Sequence, residues 1–210
     1  MRVSKEKAAR NREEILISAA RLFREKGIDS TGVDSITEAA GLTHGGLYSH
    51  FGSKQAIVTE AVRFALARSR RLWQRTAADK PVGKTFSEIA TYYLSREHRD
   101  AHGTGCLVAA LGCEIARQPA AVRRIFTEEL KGLFEFLGGL MPERTSARRR
   151  EGAIAAFACM VGAVILARAV NDEALSRRIL KTAGKRVGRT ATGVRAAARR
   201  GSRTRTRAGR

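Results

Sequence analysis

Within the twelve residues Thr43 to Lys54, THGGLYSHFGSK, the chain gathers three aliphatic hydroxyls, two imidazoles, a phenol and an ammonium. Thr43, Tyr48 and His50 carry donors that suit phosphate oxygens, and contacts of that kind set register without reading sequence. Gly45 and Gly46 sit side by side in the same stretch. Inside a helix each costs about 1 kcal/mol against alanine, which points to close approach of the backbone to a partner. Two other groups invite a chemical reading. Cys106 and Cys113 lie seven residues apart. On two turns of one helix their Cα atoms stand about 10 Å apart, too far for a disulfide without unwinding. A thiol switch and small apolar core positions are the two readings of this pair, and core packing is the plainer. His98, His102 and Cys106 fall at i, i+4 and i+8, a spacing that could gather a metal on a helix. Gly103 and Gly105 interrupt that helix and no carboxylate completes the set, so neither a metal nor another cofactor is expected. The sequence holds no phosphate-binding glycine loop, nucleophile elbow or zincin motif, and no enzyme is expected.

The elements that must position Thr43 to Lys54 are legible around it. A first helix is expected over Lys5 to Lys26, where Ile15, Ala19, Leu22 and Phe23 form one apolar stripe and Gly27 ends the run. A short helix follows over Thr31 to Ala40, with Ile36, Ala39 and Ala40 on one face and capping-box spacings at Thr31/Asp34 and Ser35/Glu38. Gly41 closes it. Thr43 can cap the next helix, roughly His44 to His50, with Leu47 and Phe51 one turn apart on its inner face. Ser53 caps a long helix from Lys54 to about Ala77. A lysine at a helix start opposes the dipole, and a phosphate docked there resolves the conflict. Short helix, glycine turn and capped helix make the helix-turn-helix plan, whose second helix enters the DNA major groove. With Gly46 offering no side chain, direct base readout is thin and DNA shape carries more of the specificity.

The run Ala39 to Lys54, AAGLTHGGLYSHFGSK, resembles the TetR family of bacterial repressors, whose pattern is close to A-G-V-S-x-G-x-L-Y-x-H-F-x-S-K. Ala40, Gly41, Gly45, Leu47, Tyr48, His50, Phe51, Ser53 and Lys54 fill its places, with Leu42 and Thr43 as replacements. The resemblance implies an all-α protein. Its helix-turn-helix domain would span residues 1–53 and a helical effector-binding and dimerisation domain 54–183, while the low-complexity Arg, Ala, Thr and Gly composition of 184–210 reads as a disordered basic tail. It implies that Thr31, Thr43, Tyr48, His50 and Lys54 meet phosphates, while His44, Gly46 and Ser49 face the groove and Gly45 lies at the DNA among them. The basic arm Met1 to Arg12 would reach phosphates or the adjacent minor groove, or stay solvated. Thr37, where the family has alanine, would touch the DNA backbone or point to solvent. The last two body helices would pair two copies as a four-helix bundle, presenting two recognition helices to half-sites about one helical turn apart or somewhat more. A small, largely apolar effector in the second domain would release a double-stranded operator.

Bulk properties fit this plan. The chain has 210 residues, 43% hydrophobic content, 3 prolines and a formal charge of +20. From Arg177 onward lie 13 basic residues and no acid, against 27 basic and 20 acidic residues before it. A basic body with a more basic end suits a polyanion such as DNA, although 31 Arg against 9 Lys is also what a GC-rich genome produces. Three cysteines argue against a secreted disulfide scaffold, the N-terminus is charged, and the uncharged run Ala153 to Ala167 falls short of the roughly 20 residues of a membrane helix. A cytoplasmic protein without membrane contact is the expectation.

Beyond Ala77 the sequence predicts a loop over Asp79 to Gly83, then helices near Thr85–Ser95, Leu107–Arg117, Ala120–Leu140, Ala147–Val170 and Asp172–Ala183, with Arg96 to Gly105 a loop. The helix around Ala153 to Ala167 reads as buried on every side. Arg68, Arg70, Arg71 and Arg75 read as a solvated face, and Trp73 as packed between helices. Candidate effector contacts are Phe86, Tyr92, Tyr93, Cys106, Phe126, Phe134 and Phe157. Two rival readings are an architectural DNA binder driven by its tail and a thiol-based redox-sensing regulator on the same scaffold.

Overall fold

The computed structural model describes residues 5–78, 80–142 and 145–191, which form helices and connecting turns with no strand among them. Helix α1 (Lys5–Lys26) buries its apolar stripe, Ile15, Ala19, Leu22 and Phe23. Gly27 turns the chain at φ 88°, a conformation that favours glycine. Next come α2 (Val33–Ala39), α3 (His44–Phe51) and α4 (Lys54–Ala77). Between α2 and α3, Gly41 adopts φ 65°, and the Leu42 N–H donates to the Thr37 carbonyl at 3.0 Å, so a left-handed residue closes the helix and satisfies a terminal acceptor. Ser53 caps α4, its Oγ accepting from the Ala56 N–H at 3.1 Å.

Helices α5 (Val82–Tyr93), α6 (Arg96–Asp100), α7 (Leu107–Ile115), α8 (Ala120–Gly139), α9 (Ser146–Ala169) and α10 (Glu173–Ala191) complete the described chain. Two cores share α4. Its first half, with Ile57, Val58 and Val62, packs with Phe23, Ile36 and Leu47, and Leu107, Leu111 and Ile115 of α7 close the same cluster. Its far end carries Trp73 into a second core with Tyr93, Leu137, Phe157, Met160 and Val164. Helix α4 and α7 therefore tie the N-terminal three helices to the rest.

Several expected elements are corrected. The segment 96–105 is not all loop: Ser95 Oγ accepts from the His98 N–H at 3.2 Å and starts α6. That short helix is held from outside. Buried Arg99 donates to Glu173 at 2.8 Å and to Ser176 Oγ at 2.7 Å, and Arg168 donates to the carbonyls of Arg99 and His98. Helix α5 begins at Val82, after Pro81, which shortens the expected loop; Asp79 lies outside the described residues. The boundary placed at 184 falls inside α10, because Leu180, Ala183 and Val187 continue one apolar stripe and Val187 is buried. Residues 192–210, the remainder of the expected tail, lie outside the described residues, as do residues 1–4 of the arm.

Helix α9 is not buried on every side. Ala153, Phe157, Met160, Val164 and Ala167 face the core, while Ile154, Ile165 and Leu166 are exposed, Leu166 by 57%. By length and composition alone α9 could cross a membrane; here its inner face packs on α8 and α10.

Candidate nucleic-acid interface

The three N-terminal helices present one polar edge. Leu47 is fully buried and anchors α3, so Tyr48 and Ser49 on the other side are exposed. Thr43 occupies the N-cap position in extended backbone, yet its side chain makes no capping hydrogen bond. The expected cap is absent, and the exposed hydroxyl is left to an outside acceptor. Ser49 Oγ donates to the Gly46 carbonyl at 2.7 Å and keeps its acceptor lone pairs. His50 is half-buried beside Phe51. Lys54 Nζ reaches the Asp29 carbonyl at 3.4 Å, which brings its charge to the turn between α1 and α2. His44 opens α3; its side chain lies outside the described residues.

Neither glycine of α3 is required by packing among the described residues. Neither has a positive φ. A Cβ on Gly45 would meet nothing within 4 Å, and one on Gly46 only Thr43 Oγ1 at 3.5 Å. The pair leaves a bare strip of helix backbone beside Thr43, Tyr48 and Ser49.

Three threonine and arginine assignments change. Thr31 is fully buried, its hydroxyl donating to the Gly27 carbonyl at 2.6 Å, so it cannot meet a phosphate. It ties the α1–α2 turn together, and Gly32, not Thr31, precedes α2. Thr37 is buried too and donates to the Asp34 carbonyl at 2.8 Å; it reaches neither DNA nor solvent. Arg12 of the expected arm pairs with Glu60 at 3.2 Å and lies 4.8 Å over the Phe51 ring, bracing α3 against α4.

In the second half of the chain a partly open cavity of about 70 Å3 is lined by Trp73, Tyr92, Tyr93, Cys106 and Phe157, among others. Four of the expected effector contacts thus come together: Tyr92, Tyr93, Cys106 and Phe157. The other three do not line it. Phe86 is wholly buried in the second core, Phe134 stacks edge-on behind Phe157 at 5.9 Å, and Phe126 packs against the other core. Trp73 packs between helices as expected, edge-on to Tyr93 and Phe157, and it also faces the cavity. His98 is a wall residue that sequence reasoning saw only as a metal candidate. Its Nδ1 lies 2.7 Å from the Tyr93 carbonyl and its Nε2 accepts from the Cys106 N–H at 3.1 Å, so Nδ1 carries the proton. Burial pushes its pKa down. Both nitrogens being committed, it has none for a metal. The three cysteines are unpaired, and Cys113 is exposed, contrary to its reading as a core residue.

Fold and edge together define a helix-turn-helix DNA-binding domain continuous with an all-α second half. Residues 15–61 match the family model for bacterial regulatory proteins of the tetR family. The HTH-type transcriptional repressor KstR2 of Mycolicibacterium smegmatis is 34% identical over 95 residues, covering 44% of this chain and 46% of the relative. The HTH-type transcriptional regulator AcrR of Shigella flexneri is 41% identical over 59 residues, 28% of this chain and 27% of that one. The matched stretches therefore span less than half of these curated relatives. A TetR transcriptional regulator from Chloroflexus aurantiacus superposes with a TM-score of 0.71 at 25% identity, over 89% of this chain and 96% of the other. Residues 15–61 thus carry the DNA-binding domain of the tetR family, and the helical fold that follows matches the fold of a TetR regulator.

Proposed function

We propose that the chain is a homodimeric transcriptional repressor that binds a palindromic operator through α3 and releases it on taking up a small-molecule effector. The observation that carries this is the bare Gly45–Gly46 strip flanked by the exposed Thr43, Tyr48 and Ser49. Nothing among the described residues uses that strip, and the cost of two helical glycines is offset when the backbone lies against DNA. Thr43, Tyr48, His50 and Lys54 then hold phosphates, while His44 and Ser49 face the base edges. The exposed apolar stripe of α9, Ile154, Ile165 and Leu166, supports pairing of two copies through α9 and α10. The aromatic cavity supports an effector site in the second half, and repression of transcription places the protein in the cytoplasm.

Selection from random double-stranded DNA tests the reading. Recovery of an inverted repeat with half-sites about one helical turn apart or somewhat more is the expected result. Recovery of unrelated sequences would point instead to a weakly specific DNA binder.

A further inference from the structure

The aromatic cavity has a second side. Ser69, Leu72, Tyr92 and Thr104 line both it and a wider cleft of about 590 Å3 against α1, α4 and the 101–106 loop. Five arginines line that cleft, Arg21, Arg24, Arg68, Arg71 and Arg75, with Glu13 as its one acidic residue. Arg21 is engaged by Glu25 at 3.1 Å. Arg68, Arg71 and Arg75 have no acidic partner among the described residues. Arg24 is the most enclosed: Nη1 donates to the carbonyls of Ala20 at 2.7 Å and Gly103 at 3.2 Å, while its buried Nε has no partner. Burial lowers its pKa, and the charge of Arg68 acts in the same direction. On the cavity side the buried Tyr93 hydroxyl faces the Cys106 thiol, a weak hydrogen-bonding partner. One buried donor without an acceptor, Arg24 Nε, costing on the order of 1–3 kcal/mol, thus stands at the wall, and like charges crowd its outer side.

We propose that cleft and cavity form one bipartite site for an anionic small molecule. Its carboxylate or phosphate head is held by Arg24, Arg68 and Arg71, and a short apolar end passes Leu72 and Tyr92 to lie beside Trp73 and Phe157. The proposal rests on the effector-binding reading above and gives that effector a chemical class. The cavity holds roughly two water-sized groups, so a longer tail needs Leu72 and Tyr92, exposed by 55% and 54%, to swing aside. The arginines are not an extension of the DNA edge. Arg68 stands fourteen residues along α4 from Lys54, about 21 Å at the rise of a helix. An anion between Arg24 of α1 and Arg68 of α4 would instead tie the helix-turn-helix to the second half, where an effector must act.

The chain carries a reporter, since Trp73 is its only tryptophan and lines the cavity. Tryptophan fluorescence of the full chain would be titrated with octanoate, octyl phosphate and 1-octanol, three heads on one tail. The expected result is that at least one anion binds about tenfold or more tightly than the alcohol, and the better anion identifies the head as carboxylate or phosphate. In an Arg68→Ser/Arg71→Ser variant that anion should weaken by about tenfold or more, with 1-octanol held within about twofold as the measure of an intact cavity. Equal binding of alcohol and anions, or an unchanged anion affinity in the variant, overturns the proposal. So does failure of every probe to bind below about 1 mM; operator binding, read separately by anisotropy, then still decides the repressor reading.

Discussion

Glu114 offers a sharp test of how the second half holds the DNA-binding domain. From α7 its Oε2 accepts the backbone N–H of Ile28 at 2.7 Å. The carboxylate lies 3.0 Å from where a Cβ on Gly27 would stand, and Ile28 is 2% exposed. The side chain thus satisfies a buried donor at the turn that sets the course of α2 and α3. Glu114→Ala leaves that N–H without an acceptor. A hydrogen bond to a charged group contributes about 1.5–3 kcal/mol. In a chain of this size each kcal/mol moves Tm by about 2–4 °C, so a loss near 2 kcal/mol predicts a fall of about 4–8 °C. Glu114→Gln keeps an oxygen acceptor and should lose about half as much. Thermal unfolding by circular dichroism gives the first number, and amide exchange at Ile28 localises it. Melting of both variants within about 1 °C of the parent, with Ile28 exchange unchanged, would refute the reasoning.

Further predictions concern the DNA edge, the cavity and the chain end. Tyr48→Phe removes a phenol assigned to phosphate, so binding should weaken by about fivefold on operator and scrambled DNA alike; a loss confined to the operator would mean that Tyr48 reads bases. His98 is held neutral, with its pKa lowered by burial. The unfolded chain therefore takes up the proton first, and the stability His98 contributes is present above about pH 6.5 and lost as pH falls through its lowered native value. Tm should drop between about pH 7 and pH 5, with a flatter profile in His98→Asn; parallel profiles would discount the role of His98. A chain ended after Ala183 loses Val187, which is 1% exposed, and should be about 1.5–3 kcal/mol less stable than one ended after Ala191; equal denaturant midpoints would contradict the packing of α10.

Much of the N-terminal domain was legible in the sequence because local signals and packing agree there. The α1 stripe, Gly27, Gly41 and the Ser53 cap each do in the fold what their type and spacing dictate. Thr31 shows where such reading stops. Its spacing to Asp34 is that of a capping box, but the acceptor that wins is the Gly27 carbonyl, four residues back across a turn. Helix α6 has five residues, too few for a periodicity, and is defined by long-range partners at Arg168, Glu173 and Ser176. In α10 the Arg- and Lys-rich composition hid the Leu180–Ala183–Val187 stripe. Tyr93 and Phe157 were identifiable as aromatic candidates, yet Phe86 and Phe126 carry the same chemistry and differ only in which helices enclose them. The arginine cleft joins α1, α4 and a loop some thirty residues beyond α4. Along the chain Arg68, Arg71 and Arg75 read as a solvated face, and only the tertiary approach of Arg21 and Arg24 makes them one surface.

The most direct test of the central claim is the affinity ratio between the site recovered by selection and a scrambled duplex. It would be measured by fluorescence anisotropy at near-physiological salt, for the full chain and for a chain ended after Ala191. A repressor reading DNA through α3 favours its site by about a thousandfold or more in both forms. A ratio near one in the full chain, with binding lost in the shortened chain, would contradict that claim and leave DNA affinity to the basic C-terminal charge alone.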